Sequence, residues 1–262
     1  MSINPKHADT HYNLGIAYHR QGREGAAIAE YEETLRINRN HADAHHNLAI
    51  SYLSQGRVDA AIAEFRETLR INRNHADAHY LLGIVYIDQG KVDAAIAEYE
   101  ETLRINPIHA HAHYKLGLAR IDQGRVDVAI AEFQETLRLN PKHGDAHHNL
   151  GLIYIRQGKV DAAIAEFQEA TKINPNDAEA HYNLGLTYYR QGRLDAAIAE
   201  YQEALRINPK HVDGHTNLGI VYYDQGRLDA AIVEYQEALR IKPNHPNAHS
   251  NLELAYKAKG KS

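Results

Sequence analysis

A period of 34 residues constrains this chain more than any other feature of it. Gly15, Gly83, Gly117, Gly151, Gly185 and Gly219 occupy one slot, Ala49 fills it in the second copy, and each step from 15 to 219 is 34 residues. A repeat of this size is one supersecondary unit that cannot bury its apolar face alone, so copies must stack. Seven full units are expected, at 8–41, 42–75, 76–109, 110–143, 144–177, 178–211 and 212–245. Residues 246–262 restart the pattern and are expected to give one capping helix and a tail. Residues 3–7 read Ile-Asn-Pro-Lys-His, identical to 207–211, so residues 1–7 read as the tail of a truncated repeat.

Within 178–211, Ala180, Leu184 and Tyr188 recur at i, i+4 and i+8, one face of a helix over about 179–191. Gly192 supplies the left-handed cap that ends it. Asp195 is the expected N-cap of a second helix. Leu194, Ile198, Tyr201 and Leu205 form its apolar stripe, and Pro209 blocks its continuation. So short a connection makes the two helices antiparallel. Gly185 faces the small pair Ala196 and Ala197, where the helices are expected to approach closely. Glu203–Arg206, Glu169–Lys172 and Glu237–Arg240 mark a solvated outer face.

Composition excludes several functions. The formal net charge is −5, with none of the basic excess that nucleic-acid binders carry. No apolar run approaches the roughly 20 residues of a membrane span. Residues 1–5 have neither the charge nor the apolar run of a signal peptide, so a soluble, cytoplasmic protein is expected. With no Cys there is no disulfide framework, thiol nucleophile or Cys–zinc site. No H-E-x-x-H, G-x-x-x-x-G-K-[ST] or G-x-G-x-x-G occurs. Neither catalytic residues nor a cofactor is expected.

Nineteen His fall mainly into two slots. His11, His45, His79, His113, His147, His181, His215 and His249 form one. His7, His41, His75, His109, His143, His211 and His245 form the other, four residues earlier. That spacing can bring two imidazoles together, and His109, His111 and His113 are the densest group. A residue present in every unit is explained more simply by packing, with weak surface metal binding as the alternative, and no true metal site is expected. If the His181 series is packed between helices, burial should lower its pKa. Stability should then fall at mildly acid pH.

The pattern Leu184, Gly185, Tyr188, Ala197, Tyr201, Ala204 and Pro209 resembles the tetratricopeptide repeat, over residues 8 to about 256. Departures are local. His181 and its equivalents replace the motif's Trp, and Arg120 replaces its Tyr in the fourth unit. Arg39 and Arg73 replace the closing Pro, and Thr34, Thr68, Thr102 and Thr136 replace a small Ala. The resemblance implies an all-α, right-handed superhelical solenoid of antiparallel helix pairs whose first helices line a concave groove. Such arrays are non-enzymatic scaffolds for proteins or peptides. Longer ones resemble the superhelical domain of the O-linked N-acetylglucosamine transferase, where an asparagine ladder holds the peptide backbone.

The groove-facing slots carry the functional expectation. Asn13, Asn47, Asn149, Asn183, Asn217 and Asn251 share one of them, interrupted by Leu81 and Lys115. A side-chain amide both donates and accepts, so it can pair with the backbone of an extended peptide of any sequence. The alternatives are a solvated residue or a bond to a neighbouring unit. Tyr114, Lys115, His148 and Tyr182 lie beside the ladder and join the candidate peptide-binding set. The carboxylate-clamp activity of some family members needs Lys and Asn where this chain has Tyr, His and aliphatics, so it is not expected. The partner is read as an extended protein segment, neither nucleic acid nor membrane. Self-assembly through the N-terminal end, which lacks an evident polar cap, is the rival reading.

Overall fold

The computed structural model describes residues 5–260 and contains fifteen α-helices, with no strand among those residues. The chain divides into two compact units, Met1–Glu135 and Thr136–Ser262. Unit 1 holds α1 (Pro5–Arg20), α2 (Glu24–Ile37), α3 (Ala42–Ser54), α4 (Val58–Ile71), α5 (Ala76–Asp88), α6 (Val92–Ile105) and α7 (Ala110–Asp122). The boundary falls inside α8 (Val126–Leu139). Unit 2 holds α9 (Gly144–Arg156), α10 (Val160–Ile173), α11 (Ala178–Arg190), α12 (Leu194–Ile207), α13 (Val212–Asp224), α14 (Leu228–Ile241) and α15 (Pro246–Lys259). In unit 2 each helix packs on the next, and α9, α11, α13 and α15 also lie side by side.

The turn inside each repeat follows from one glycine. Gly192 has φ +73, and its six equivalents lie between +70 and +74. The N–H of Arg193 donates to Tyr188 O at 2.9 Å and that of Gly192 to Tyr189 O at 2.8 Å. These are the two bonds of the Schellman cap, and an L-residue with a Cβ would be strained there. The cap starts the second helix at Leu194, immediately after Arg193. Asp195 is therefore too late to be the N-cap, contrary to the expectation, and the Arg193 position has no side-chain cap bond. The Asp195 carboxylate sits in the first turn, where the helix dipole favours it. There it accepts a hydrogen bond from Gln225 Nε2 of the next repeat at 2.9 Å. Asp93 and Asp161 accept in the same way from Gln123 and Gln191.

Proline is not what stops the second helices. α2 and α4 end at Ile37 and Ile71, although Arg39 and Arg73 stand where later repeats have Pro. Asn38 and Asn72 leave the helix in extended conformation, and their side-chain oxygens accept from the N–H groups of Asn40 and Asn74 at 3.1 Å. This Asx turn ends the helix with or without Pro. At the other end of the chain, Pro5–His7 continue α1, whereas their equivalents in later repeats form a turn. Ile3 and Asn4, the start of the expected truncated tail, lie outside the described residues.

Each core is built from the same slots. A Cβ on Gly185 would lie 2.9 Å from Cδ1 of Tyr201 and 3.3 Å from the Ala197 carbonyl. It is the flat ring of Tyr201, more than the small Ala pair, that requires glycine. In the second repeat Ala49 takes the slot and Phe65 the ring position, and both are fully buried. The Thr that replaces Ala in unit 1 keeps its hydroxyl satisfied, since Thr34 Oγ1 donates to Glu30 O at 2.8 Å. Arg120 does not disrupt packing. Its stem is buried and its guanidinium reaches Glu100 and, at 2.9 Å, Gln123 Oε1. Glu100 is the equivalent of Glu32, which accepts from Tyr52 OH at 3.0 Å, so an ion pair replaces a hydrogen bond. The Nε of Arg120 is left buried without a partner.

Candidate functional site

The two histidine slots have opposite chemistry. His147 Nδ1 donates to Glu166 Oε2 at 2.6 Å, and its Nε2 donates to Pro141 O at 3.1 Å. His45, His79, His113, His181 and His215 make the equivalent pair of bonds, to Glu64, Glu98, Glu132, Glu200 and Glu234 and to a carbonyl six residues back. An imidazole can donate from both nitrogens only as the imidazolium. Burial disfavours that charge, but the glutamate hydrogen bond and the carbonyl outweigh it. The pKa of His45, His79, His113, His147 and His215 is raised. The expectation of a lowered pKa for this slot is overturned at these five positions, because an ionised partner 19 residues away faces each ring.

The other slot supplies N-caps. Nδ1 of His41, His75, His109, His143, His211 and His245 accepts the N–H three residues on, at 2.9–3.3 Å. A ring that accepts at Nδ1 carries its proton on Nε2 and is neutral. Asp177 holds this slot in the sixth repeat and accepts two N–H groups, from Glu179 and Ala180. Serving a cap in one case and an ion pair in the other, the two histidines are not a ligand pair. Among the described residues no three His, Asp or Glu side chains are grouped to hold a metal ion.

The candidate asparagines lie on the first helices, and the structure shows what their amides touch. In unit 1, Asn47 Nδ2 donates to Tyr12 OH at 3.1 Å, while Asn13 is exposed on α1. Tyr114 packs on Phe133 with ring centroids 5.8 Å apart, and Lys115 Nζ lies 5.9 Å from the Tyr114 ring. In unit 2, Asn217 Nδ2 donates to Tyr182 OH at 3.0 Å, and Asn183 Nδ2 lies 3.3 Å from His148 Nε2. Asn149 Nδ2 donates to Asp145 O of its own helix at 2.8 Å. Tyr182 also stacks on the cap residue His211, centroids 4.6 Å apart. His148 Nδ1 lies 3.7 Å from the cap carboxylate of Asp177.

The bond to a neighbouring repeat therefore exists at Asn47, Asn183 and Asn217. It uses an amide N–H donor and leaves the carbonyl oxygen for a ligand. Asn251 differs. The residue in its partner slot is Thr216, whose short side chain replaces the aromatic ring and whose hydroxyl donates to Val212 O of its own helix at 2.9 Å. The side-chain amide of Asn251 makes no hydrogen bond among the described residues and borders a pocket of about 200 Å³ between α13 and α15. Ile220, Tyr223, Asp224, Tyr235 and Leu254 complete its lining. Sequence reasoning missed this pocket. Its walls come from α13, α14 and α15, and Thr216, the small residue in a slot that holds Tyr or His in every earlier repeat, signals only that Asn251 lacks an aromatic partner.

Comparison with known proteins agrees with this architecture. Models described as tetratricopeptide repeat match residues 46–110, 182–246 and 8–41, and a model described as TPR repeat matches 117–158 and 151–192. A search of curated protein sequences finds no match. Among solved structures, PilF of Pseudomonas aeruginosa is similar with a TM-score of 0.68 at 21% identity, covering 80% of this chain and 95% of that one. YrrB, described as a TPR protein with an unusual peptide-binding site, gives 0.64 at 24% identity, covering 71% and 96%. MamA gives 0.57 at 26% identity, covering 63% and 97%. No described helix is long and apolar enough to cross a membrane. With family models matching most of its length and its helix pairs repeating throughout, the chain belongs to the tetratricopeptide repeat family and has its all-α solenoid fold.

Proposed function

We propose that the protein is a non-enzymatic scaffold that holds an extended peptide across the first helices of unit 2. Family membership supports the scaffold role, since tetratricopeptide proteins bind protein partners. The observation that carries the finer reading is the unbroken run of Asn149, Asn183, Asn217 and Asn251 on four helices that lie side by side. Helices pack at about 8–10 Å, and an extended chain rises roughly 3.3 Å per residue, so one amide meets the peptide about every third residue. Such contacts read backbone, which gives affinity with loose sequence preference. Leu152, Leu186 and Ile220 beside the amides offer half-buried apolar surface to alternate side chains.

A photo-crosslinking amino acid placed at Leu186 or Ile220 tests the reading against the same probe at the exposed outer residue Ala199. Capture of one polypeptide from both first-helix positions and not from Ala199 is the expected result. Capture from Ala199 alone would place the partner on the opposite face and defeat the proposal.

A further inference from the structure

Resting on that reading, the geometry points to a specificity pocket in unit 2 for a basic side chain of the bound peptide. We propose that the space bounded by Ile220, Tyr223, Asp224, Tyr235, Asn251 and Leu254 receives a lysine or arginine whose cation meets Asp224.

Size comes first. About 200 Å³ is smaller than the roughly 300–1,000 Å³ of small-molecule sites and suits a single long side chain. Chemistry comes second. Ile220 and Leu254 make apolar walls, Tyr223 and Tyr235 add aromatic rings, and Asp224 contributes the pocket's only charge. A lysine or arginine has this composition in mirror image, an aliphatic stem that packs on apolar surface and a cation attracted to carboxylate and ring face.

The placement of Asp224 is the third argument. It is the last residue of α13, where the helix dipole disfavours an anion. Within unit 2 the same slot holds Arg156 in α9 and Arg190 in α11, the signs that the dipole prefers, whereas in unit 1 α5 and α7 also end on an aspartate, Asp88 and Asp122. No Lys or Arg side chain lies within ion-pairing distance of Asp224 among the described residues, and Lys257 is paired with Glu253 at 2.8 Å. The carboxylate is nonetheless held in place, since Tyr189 OH donates to Asp224 Oδ2 at 2.8 Å from the preceding repeat. A fixed anion, unfavourable to its own helix and lining a pocket that is otherwise uncharged, is complementary to a cation brought by a ligand. The free amide of Asn251 lies beside it, able to hold the peptide backbone while the side chain enters.

The test is a positional library of labelled, extended nonapeptides. Each carries Arg, Lys, citrulline, norleucine or Glu at one position in an Ala/Ser background. Binding by fluorescence anisotropy is measured with the wild-type chain and with Asp224→Asn, whose exposed position leaves helix content unchanged. The wild type is expected to prefer Arg and Lys over citrulline and norleucine at one position, by roughly tenfold. Asp224→Asn should remove that preference while binding the neutral peptides as before. If peptides bind with no basic preference, or the preference survives in Asp224→Asn, the pocket assignment is wrong and the first-helix reading stands. If no peptide of the library binds, both are wrong.

Discussion

Replacing Glu166 and Glu234 together by Gln removes the carboxylates from two imidazolium pairs of unit 2, His147–Glu166 and His215–Glu234, each 2.6 Å. A hydrogen bond to a charged group contributes about 1.5–3 kcal/mol. The carboxylates are 23% and 21% exposed, so solvent screening places each pair in the lower part of that range, about 1.5–2 kcal/mol. Two pairs amount to about 3–4 kcal/mol, or roughly 6–16 °C in melting temperature for a chain of this size. The pH dependence follows from the raised pKa of His147 and His215. A histidine with a raised folded value contributes stability that is fully present below its unfolded value, roughly 6.5, and lost as pH rises through the folded value. Thermal unfolding followed by circular dichroism at pH 6 and pH 9 checks this. The gap between wild type and variant should be widest at pH 6. It should shrink at pH 9 towards the difference between two neutral hydrogen bonds. A gap that is equal at both pH values, or widens towards pH 9, would show that these rings are neutral and the reasoning mistaken.

Three further outcomes are expected. Asp177→Ala removes both cap bonds of α11 and should cost about 0.5–2 kcal/mol, read as a lower midpoint in urea unfolding with an unchanged slope. Arg120→Tyr should stabilise unit 1 by roughly 1 kcal/mol, since it removes a buried unpartnered Nε and gives Arg125 a ring to stack on, as Arg57 has over Tyr52 at 4.0 Å; an unchanged or lower midpoint would count against it. In unit 1, His46 is buried against His75 and its pKa is pushed down to about 4, above all by burial, so His46→Phe should narrow any loss of stability between pH 7 and pH 5, checked by melting curves at the two values.

Much of the fold was legible because it rests on local rules repeated at a fixed spacing. The left-handed glycine at Gly192 and its equivalents needs only the sequence and the Schellman geometry. The misreadings came where a residue's partner lies in another helix. His147 looks like a packing residue until the fold brings Glu166 to it, although a Glu recurs 19 residues after the His in each of the seven repeats and could have raised the question. Asp195 has the right chemistry for a cap but stands two residues late, and its partner Gln225 belongs to the next repeat. Histidine is not among the usual N-caps, yet Asp177 in the same slot carried the hint. In the candidate site, the asparagine run is visible in the sequence. That Asn217 spends one donor on Tyr182 while Asn251 keeps both depends on Tyr182 and Thr216 filling one slot in successive repeats. The pocket beside Asn251 needs coordinates, because its walls come from three helices.

The central claim is that the asparagines of unit 2 bind the backbone of an extended peptide. Calorimetric titration of one peptide selected by the wild-type chain, into the wild type and into the Asn183→Ala, Asn217→Ala, Asn251→Ala triple variant, tests it most directly. Loss of the internal bonds at Asn183 and Asn217 will lower the variant's melting temperature, so the titration is run well below it, with helicity verified. Each neutral hydrogen bond contributes about 0.5–1.5 kcal/mol, so affinity should weaken by at least roughly tenfold. Equal affinities, with both proteins folded, would mean that the asparagines join repeat to repeat and hold no ligand.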